Sequence, residues 1–153
     1  MRHRLKFLKN KILAMPWRVI EKFQRTRACN NVNFVAEDAD WAIRWVGEGI
    51  KNGLNNESAG QFSLTTIAHR LNSSVIHFGS QYMWVDWEPH ISRTNKAVVS
   101  FFHGKPEDGK DSAKHIDQFL YSLPRLERIV ASSEIMLRRL DSWGVPKKRS
   151  LIC

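Results

Sequence analysis

The chain has 153 residues, 42% hydrophobic and 25% charged, which suits one compact domain and excludes a disordered polyelectrolyte. The net charge of +9 is uneven: residues 1–27 hold nine Lys or Arg against one acid, net +8, and residues 28–153 hold fifteen against fourteen, net +1. No window of about 18 apolar residues exists, which excludes a spanning helix; the two cysteines, Cys29 and Cys153, fit neither a disulfide framework nor a zinc site.

Residues 1–27 read as a basic amphipathic leader. Leu5, Leu8, Ile12 and Met15 recur at helical spacing, with Arg4, Lys6, Lys9 and Lys11 between them. Pro16 breaks the pattern. Trp17, Val19, Ile20 and Phe23 then resume an apolar face beside Arg18, Lys22, Arg25 and Arg27. Lys9, Asn10 and Lys11 interrupt any secretory apolar run, so a reducing, cytoplasmic location is expected. Two readings stand. In one, Arg4, Lys6, Lys9, Lys11, Trp17 and Arg18 meet an anionic membrane surface, at about 1 kcal/mol per basic residue near it. In the other, a helix packs on the domain and solvates its basic face. Nucleic acid is not expected as a partner, because the basic residues do not continue into residues 28–153.

Within residues 28–153, Asn31–Ala36 predicts a first buried strand. Asp38 or Asp40 would cap a helix whose apolar face is Trp41, Trp45, Val46 and Ile50, ended by Gly53 and Asn55-Asn56. Ser63–Leu71 reads equally as strand or short helix. Ser74–Gly79 predicts a strand closed by glycine. Asp86-Trp87-Glu88-Pro89-His90 reads as a surface loop. Lys96–Phe102 is a nearly continuous apolar run, as in a strand covered on both faces. A loop rich in Gly, Pro and charge follows from His103 to Asp111. Ile116, Phe119, Leu120 and Leu123 predict a helix ending at Pro124. Arg128–Ala131 predicts a strand, after which Ser132 or Ser133 caps a helix carrying Ile135, Met136, Leu137 and Leu140. Gly144-Val145-Pro146 ends that helix, and Lys148–Ile152 begins another strand.

Strands alternating with helices predict an α/β fold with a doubly wound, mostly parallel Rossmann-like sheet. Ligands of such sheets lie at the C-terminal ends of the strands. The stretches to weigh are Glu37-Asp38, Gly79-Ser80-Gln81, His103-Gly104-Lys105 and Ser132-Ser133-Glu134.

Three of these stretches carry a resemblance. Val98-Val99-Ser100-Phe101-Phe102-His103-Gly104, Ile129-Val130-Ala131-Ser132-Ser133 and Leu140-Asp141-Ser142-Trp143-Gly144-Val145-Pro146 resemble the N-terminal domain of GT-B glycosyltransferases of the family 4-like kind. Asn33-Phe34-Val35 to Ala39-Asp40-Trp41 also resembles the start of surface-polysaccharide glycosyltransferases. The resemblance implies transfer of a sugar from a nucleotide-sugar donor to a glycan or lipid-linked acceptor, with no further cofactor. It implies that His103 faces the donor sugar; by residue chemistry, Gly104 lets backbone approach a ligand, Lys105 reads as a phosphate contact or a solvated loop lysine, and Ser132 and Ser133 read as helix caps or cleft-lining residues. It also implies a second, donor-binding Rossmann domain carrying two glutamates spaced eight apart. Glu127 and Glu134 are seven apart and do not fit, so the chain is expected to be the acceptor-side half, inactive alone.

Asp86 and Glu88, beside Trp87, are candidate acceptor contacts. His69, His77 and His115 show no metal-ligand spacing and read as structural or surface residues. Two rival functions remain open at this point. Phe34-Val35-Ala36-Glu37-Asp38 with Asp86 resembles a phosphorelay receiver, although Ser132-Ser133 stands where a lysine is expected. The other rival is a non-catalytic membrane-surface binding module or remnant.

Overall fold

The computed structural model describes residues 11–16, 19, 31–37, 42–68, 71–102 and 110–152. Six strands among them make one sheet: β1 (Val32–Val35), β2 (Phe62–Thr65), β3 (Val75–Phe78), β4 (Lys96–Phe101), β5 (Leu126–Ala131) and β6 (Ser150–Ile152). Every pairing is parallel, and the order is β2-β1-β3-β4-β5-β6. Parallel neighbours need crossover connections. These are supplied by α1 (Ala42–Gly53) and α2 (Asn56–Gly60) before β2, α3 (Gln81–Trp87) before β4, α4 (Lys110–Ser122) before β5 and α5 (Glu134–Ser142) before β6.

The register sorts side chains onto two faces, because successive strand residues point oppositely. Val35, Phe78, Val99 and Ile129 are aligned across four strands and share one face. That face packs with Trp84 of α3, Phe119 of α4 and Leu140 of α5 in the larger core. Phe101 stacks on Phe119 at 5.6 Å and meets the edge of Trp143 at 5.6 Å. Burying each such side chain contributes about 1.5–3 kcal/mol. Inside this core the Trp84 indole N–H donates to Ser122 Oγ at 2.6 Å, which ties α3 to the end of α4 without leaving a buried donor unpaired. The opposite face of β1 and β2 packs through Phe34, Phe62 and Leu64 against Ile43 of α1 and Leu54. Helices on both faces of a parallel sheet make the fold doubly wound.

Several expectations change. The apolar face assigned to α1 is turned outward: Trp45 is 59% exposed, and Val46 and Ile50 are exposed with it. The buried position is Gly47, where an added Cβ would lie 2.5 Å from Leu64 Cδ1 and 2.8 Å from Phe34 Cδ1. Close backbone approach at Gly47, together with the Ile43 side chain, sets the orientation of this helix. Asp38, Asp40 and Trp41 lie outside the described residues. Asn55 does not simply end α1; its Oδ1 accepts from Ser58 N at 2.8 Å and caps α2. The ambiguous Ser63–Leu71 stretch begins inside β2 and includes buried Ala68 after the strand.

The supposed loop at Asp86–His90 is the end of α3 and a 3-10 turn, Glu88–His90, with His90 buried. Strand β4 is fully buried only on the face of Ala97, Val99 and Phe101; Val98 and Ser100 are half-buried. Gly144 ends α5 in the left-handed region at φ +78, as a glycine after a helix C-terminus commonly does.

Candidate functional site

Strand order reverses beside β1, between the excursion out to β2 and the return to β3. In open α/β sheets the crevice outside the carboxyl ends of such strands receives ligands. At that edge Ala36 and Glu37 follow β1, Gly79, Ser80 and Gln81 follow β3, Phe102 follows β4, and Ser132 and Ser133 follow β5. Backbone hydrogen bonds carry the ladder just past the strands. Gly79 N donates to Val35 O at 3.0 Å, Ala36 N to Thr65 O at 3.0 Å, and Ser132 N to Phe101 O at 3.0 Å. The last bond sets Ser132 beside the point where β4 ends. His103, Gly104 and Lys105 lie outside the described residues, directly after Phe102.

The serines at this edge divide their work. Ser80 Oγ accepts from Met83 N at 3.2 Å and caps α3. Ser133 Oγ accepts from Met136 N at 3.3 Å and caps α5. Ser133 is therefore the capping residue, and Ser132 is exposed at the edge. Gly79 has a packing role: a Cβ there would lie 2.3 Å from Ile43 Cγ2 and 3.1 Å from the Phe34 ring. Only glycine lets α1 close onto the sheet at this point.

Asp86 and Glu88 do not join this edge. Asp86 is in the last turn of α3, and Glu88 opens the following 3-10 turn. The Glu88 carboxylate accepts from Arg125 Nη1 at 2.6 Å, and the same guanidinium donates to Glu88 O at 2.6 Å. Arg125 immediately precedes β5, whereas Ser132 immediately follows it. Six strand residues at about 3.3 Å each hold the two ends roughly 20 Å apart. The phosphorelay geometry fails on the same ground. A phosphoacceptor belongs at a strand end, but β3 runs into Gly79-Ser80 and Asp86 is helical.

Two histidines have defined surroundings. His77 Nε2 lies 2.9 Å from Ser100 Oγ on the neighbouring strand, and its ring meets Phe34 edge-on at 4.9 Å. Burial pushes the His77 pKa down from 6.5 to about 4, so the imidazole is neutral at neutral pH. Among the described residues no carboxylate hydrogen-bonds to His77, so the pair lacks the third group that orients a serine–histidine nucleophile. His115 stacks on Tyr82 at 4.0 Å, joining α4 to the first turn of α3. The pairing of His77 with Ser100 was missed in the sequence. Its one signal is that each is the lone polar residue near the C-terminal end of an apolar strand.

Of the leader residues, Lys11 is exposed in a helical segment at 11–16; Arg4, Lys6, Lys9, Trp17 and Arg18 lie outside the described residues. Among the described residues no group of three or more His, Cys, Asp or Glu could hold a metal ion. No helix among them is long and apolar enough to cross a membrane. No protein-family model, curated protein or solved structure matches the chain.

Proposed function

We propose that this domain is the acceptor side of a glycosyltransferase that moves a sugar from a nucleotide-sugar donor to a glycan or lipid-linked acceptor. The observation that supports it is the adjacency of β4 and β5. Phe101 pairs with Ala131, and Ser132 N donates to Phe101 O. The described parts of two stretches that carry the resemblance, 98–102 and 129–133, therefore run side by side toward one edge of the sheet.

Glycosyl transfer builds positive charge on the sugar ring and negative charge on the leaving diphosphate, and it needs the acceptor hydroxyl held in line. In this reading His103 hydrogen-bonds a hydroxyl of the donor sugar, Gly104 admits the ligand close to backbone, and Lys105 and the exposed Ser132 hydroxyl border the acceptor. Ser133 contributes by fixing the start of α5. Asp86 and Glu88 leave the acceptor set, because they lie toward the opposite edge. A second Rossmann-like domain holds the donor, so this chain alone binds acceptor and transfers little sugar.

Ligand-observed NMR of the 153-residue chain with a panel of oligosaccharides and nucleotide sugars tests the proposal. Saturation transfer to an oligosaccharide, weakened at least tenfold in affinity by Ser132→Ala, is the expected result. Absence of binding by every saccharide, or binding indifferent to both Ser132→Ala and Lys105→Ala, sinks the site. Turnover of a radiolabelled nucleotide sugar by the purified chain overturns the claim that a second domain is needed.

A further inference from the structure

The helical segment at 11–16 presents its side chains in an order opposite to that of a helix buried in a core. Ala14 is 1% exposed, so its side of this segment is covered. Ile12 is 59% exposed, Met15 61% and Val19, also helical, 60%. At about 100° per residue within 11–16, Ile12 and Met15 fall on one stripe and Ala14 falls on the far side. The small residue thus faces inward, and the large aliphatic residues face solvent. Leu13, at 40%, widens the outward face. A contiguous run of exposed large apolar residues marks an interaction surface.

The charge of the same stretch selects the occupant. Residues 1–27 hold nine Lys or Arg against one acid, while the rest of the chain is nearly balanced. Lys11, exposed beside the stripe, belongs to this excess. We propose that the outward side chains of Ile12 and Met15, with the exposed Val19, set within this basic segment and backed by the inward Ala14, dock on an anionic lipid bilayer surface. Such a surface offers negative headgroups to the cations and an acyl boundary to the aliphatic side chains, so both features are satisfied together. A nucleic acid would satisfy the charge and leave the stripe wet. The proposal is independent of the glycosyl-transfer reading, since it concerns a different part of the chain.

Co-sedimentation of the full chain with vesicles tests it. Equimolar phosphatidylcholine and phosphatidylglycerol vesicles should carry the protein down in 0.1 M salt, and phosphatidylcholine alone should carry at least tenfold less, where these compositions and the salt are order-of-magnitude choices (about one Debye length of 10 Å). Met15→Asp should lower partitioning to the anionic vesicles at least tenfold. Met15→Gln, a milder change of similar length, should lower it less, and unchanged circular dichroism in both variants shows that the fold is kept. Tyr121→Asp, placed at an 89% exposed position on α4, should leave partitioning unchanged. Three results overturn the proposal: no sedimentation with anionic vesicles, equal sedimentation of wild type and both Met15 variants, or binding to a soluble polyanion without binding to vesicles.

Discussion

At the N-terminal edge of the sheet, polar side chains reach across from one strand start to the next. Asn95, just before β4, accepts from Ser74 N at 3.1 Å and donates to Leu71 O at 2.7 Å. Thr94 Oγ1 accepts from Ser73 N at 3.0 Å and so holds a residue whose φ is +48. Arg125 clasps Glu88, and Arg149 donates to Leu123 O and to Leu126 O. At the C-terminal edge, Ser80 and Ser133 reach only into their own helices. The first edge uses its polar groups to fix where strands begin. The second uses them to start helices and leaves its outer rim, Ser132 included, outside that bracing. The contrast locates the edge where side chains can change with least cost to folding, which is where α/β sheets carry ligands.

The largest expected effect concerns His77, near the C-terminal end of β3 and bonded to Ser100. Unfolded, its imidazole takes a proton below about pH 6.5; folded, only below about pH 4. Between these values the unfolded state holds more protons, so stability is full above 6.5, falls as pH is lowered, and levels near 4. The pKa difference corresponds to roughly 3 kcal/mol. Urea unfolding of wild type and His77→Gln at pH 7 and pH 4.5 should show wild type losing more over that interval. Parallel losses would mean that His77 is solvated in the folded protein.

Arg125→Ala comes next. It removes a charge-assisted hydrogen bond and leaves the Glu88 carboxylate half-buried, at a cost of about 2 kcal/mol. Gly79→Ala tests the reversal point, where the new methyl meets Ile43 Cγ2. Overpacking of this kind costs about 1–2 kcal/mol. Combining it with Ile43→Ala should cost less than the two changes added separately, by about 1 kcal/mol in the midpoint analysis of a double-mutant cycle. Strict additivity would show that α1 shifts to make room and that no close approach is required there.

Parts of this arrangement were legible in the sequence because they rest on hydrophobic pattern. The run Lys96–Phe102 contains β4, and Ile116, Phe119 and Leu120 of the expected stripe fall on α4, while Leu123, expected with them, opens the 3-10 turn that follows. The facing of α1 was not legible. Its contact is made by Ile43 and by Gly47, which carries no hydrophobic signal, while Trp45 and Val46 imitate a core face. Helix α3 was hidden by its neighbours. Asp86, Glu88 and Pro89 read as a loop, although Trp84 one turn earlier is wholly buried. Of the candidate site, the capping of α5 by a serine was readable from local chemistry. The His77–Ser100 pair and the Arg125–Glu88 pair were not, because each joins residues distant in the chain through strand register or helix packing.

The smallest effect is also the most discriminating between neighbouring residues at one edge. Ser133→Ala removes the acceptor for Met136 N and should cost about 1 kcal/mol, read as a lower urea midpoint. Ser132→Ala removes an exposed hydroxyl while its backbone N–H still bonds Phe101 O, so stability should change by less than about 0.5 kcal/mol. If acceptor binding follows the opposite order, weakened by Ser132→Ala and spared by Ser133→Ala, stability and recognition are separated between two adjacent side chains. Equal losses of stability in both variants would erase the distinction between a braced edge and an open one, since Ser132 would then be part of the bracing.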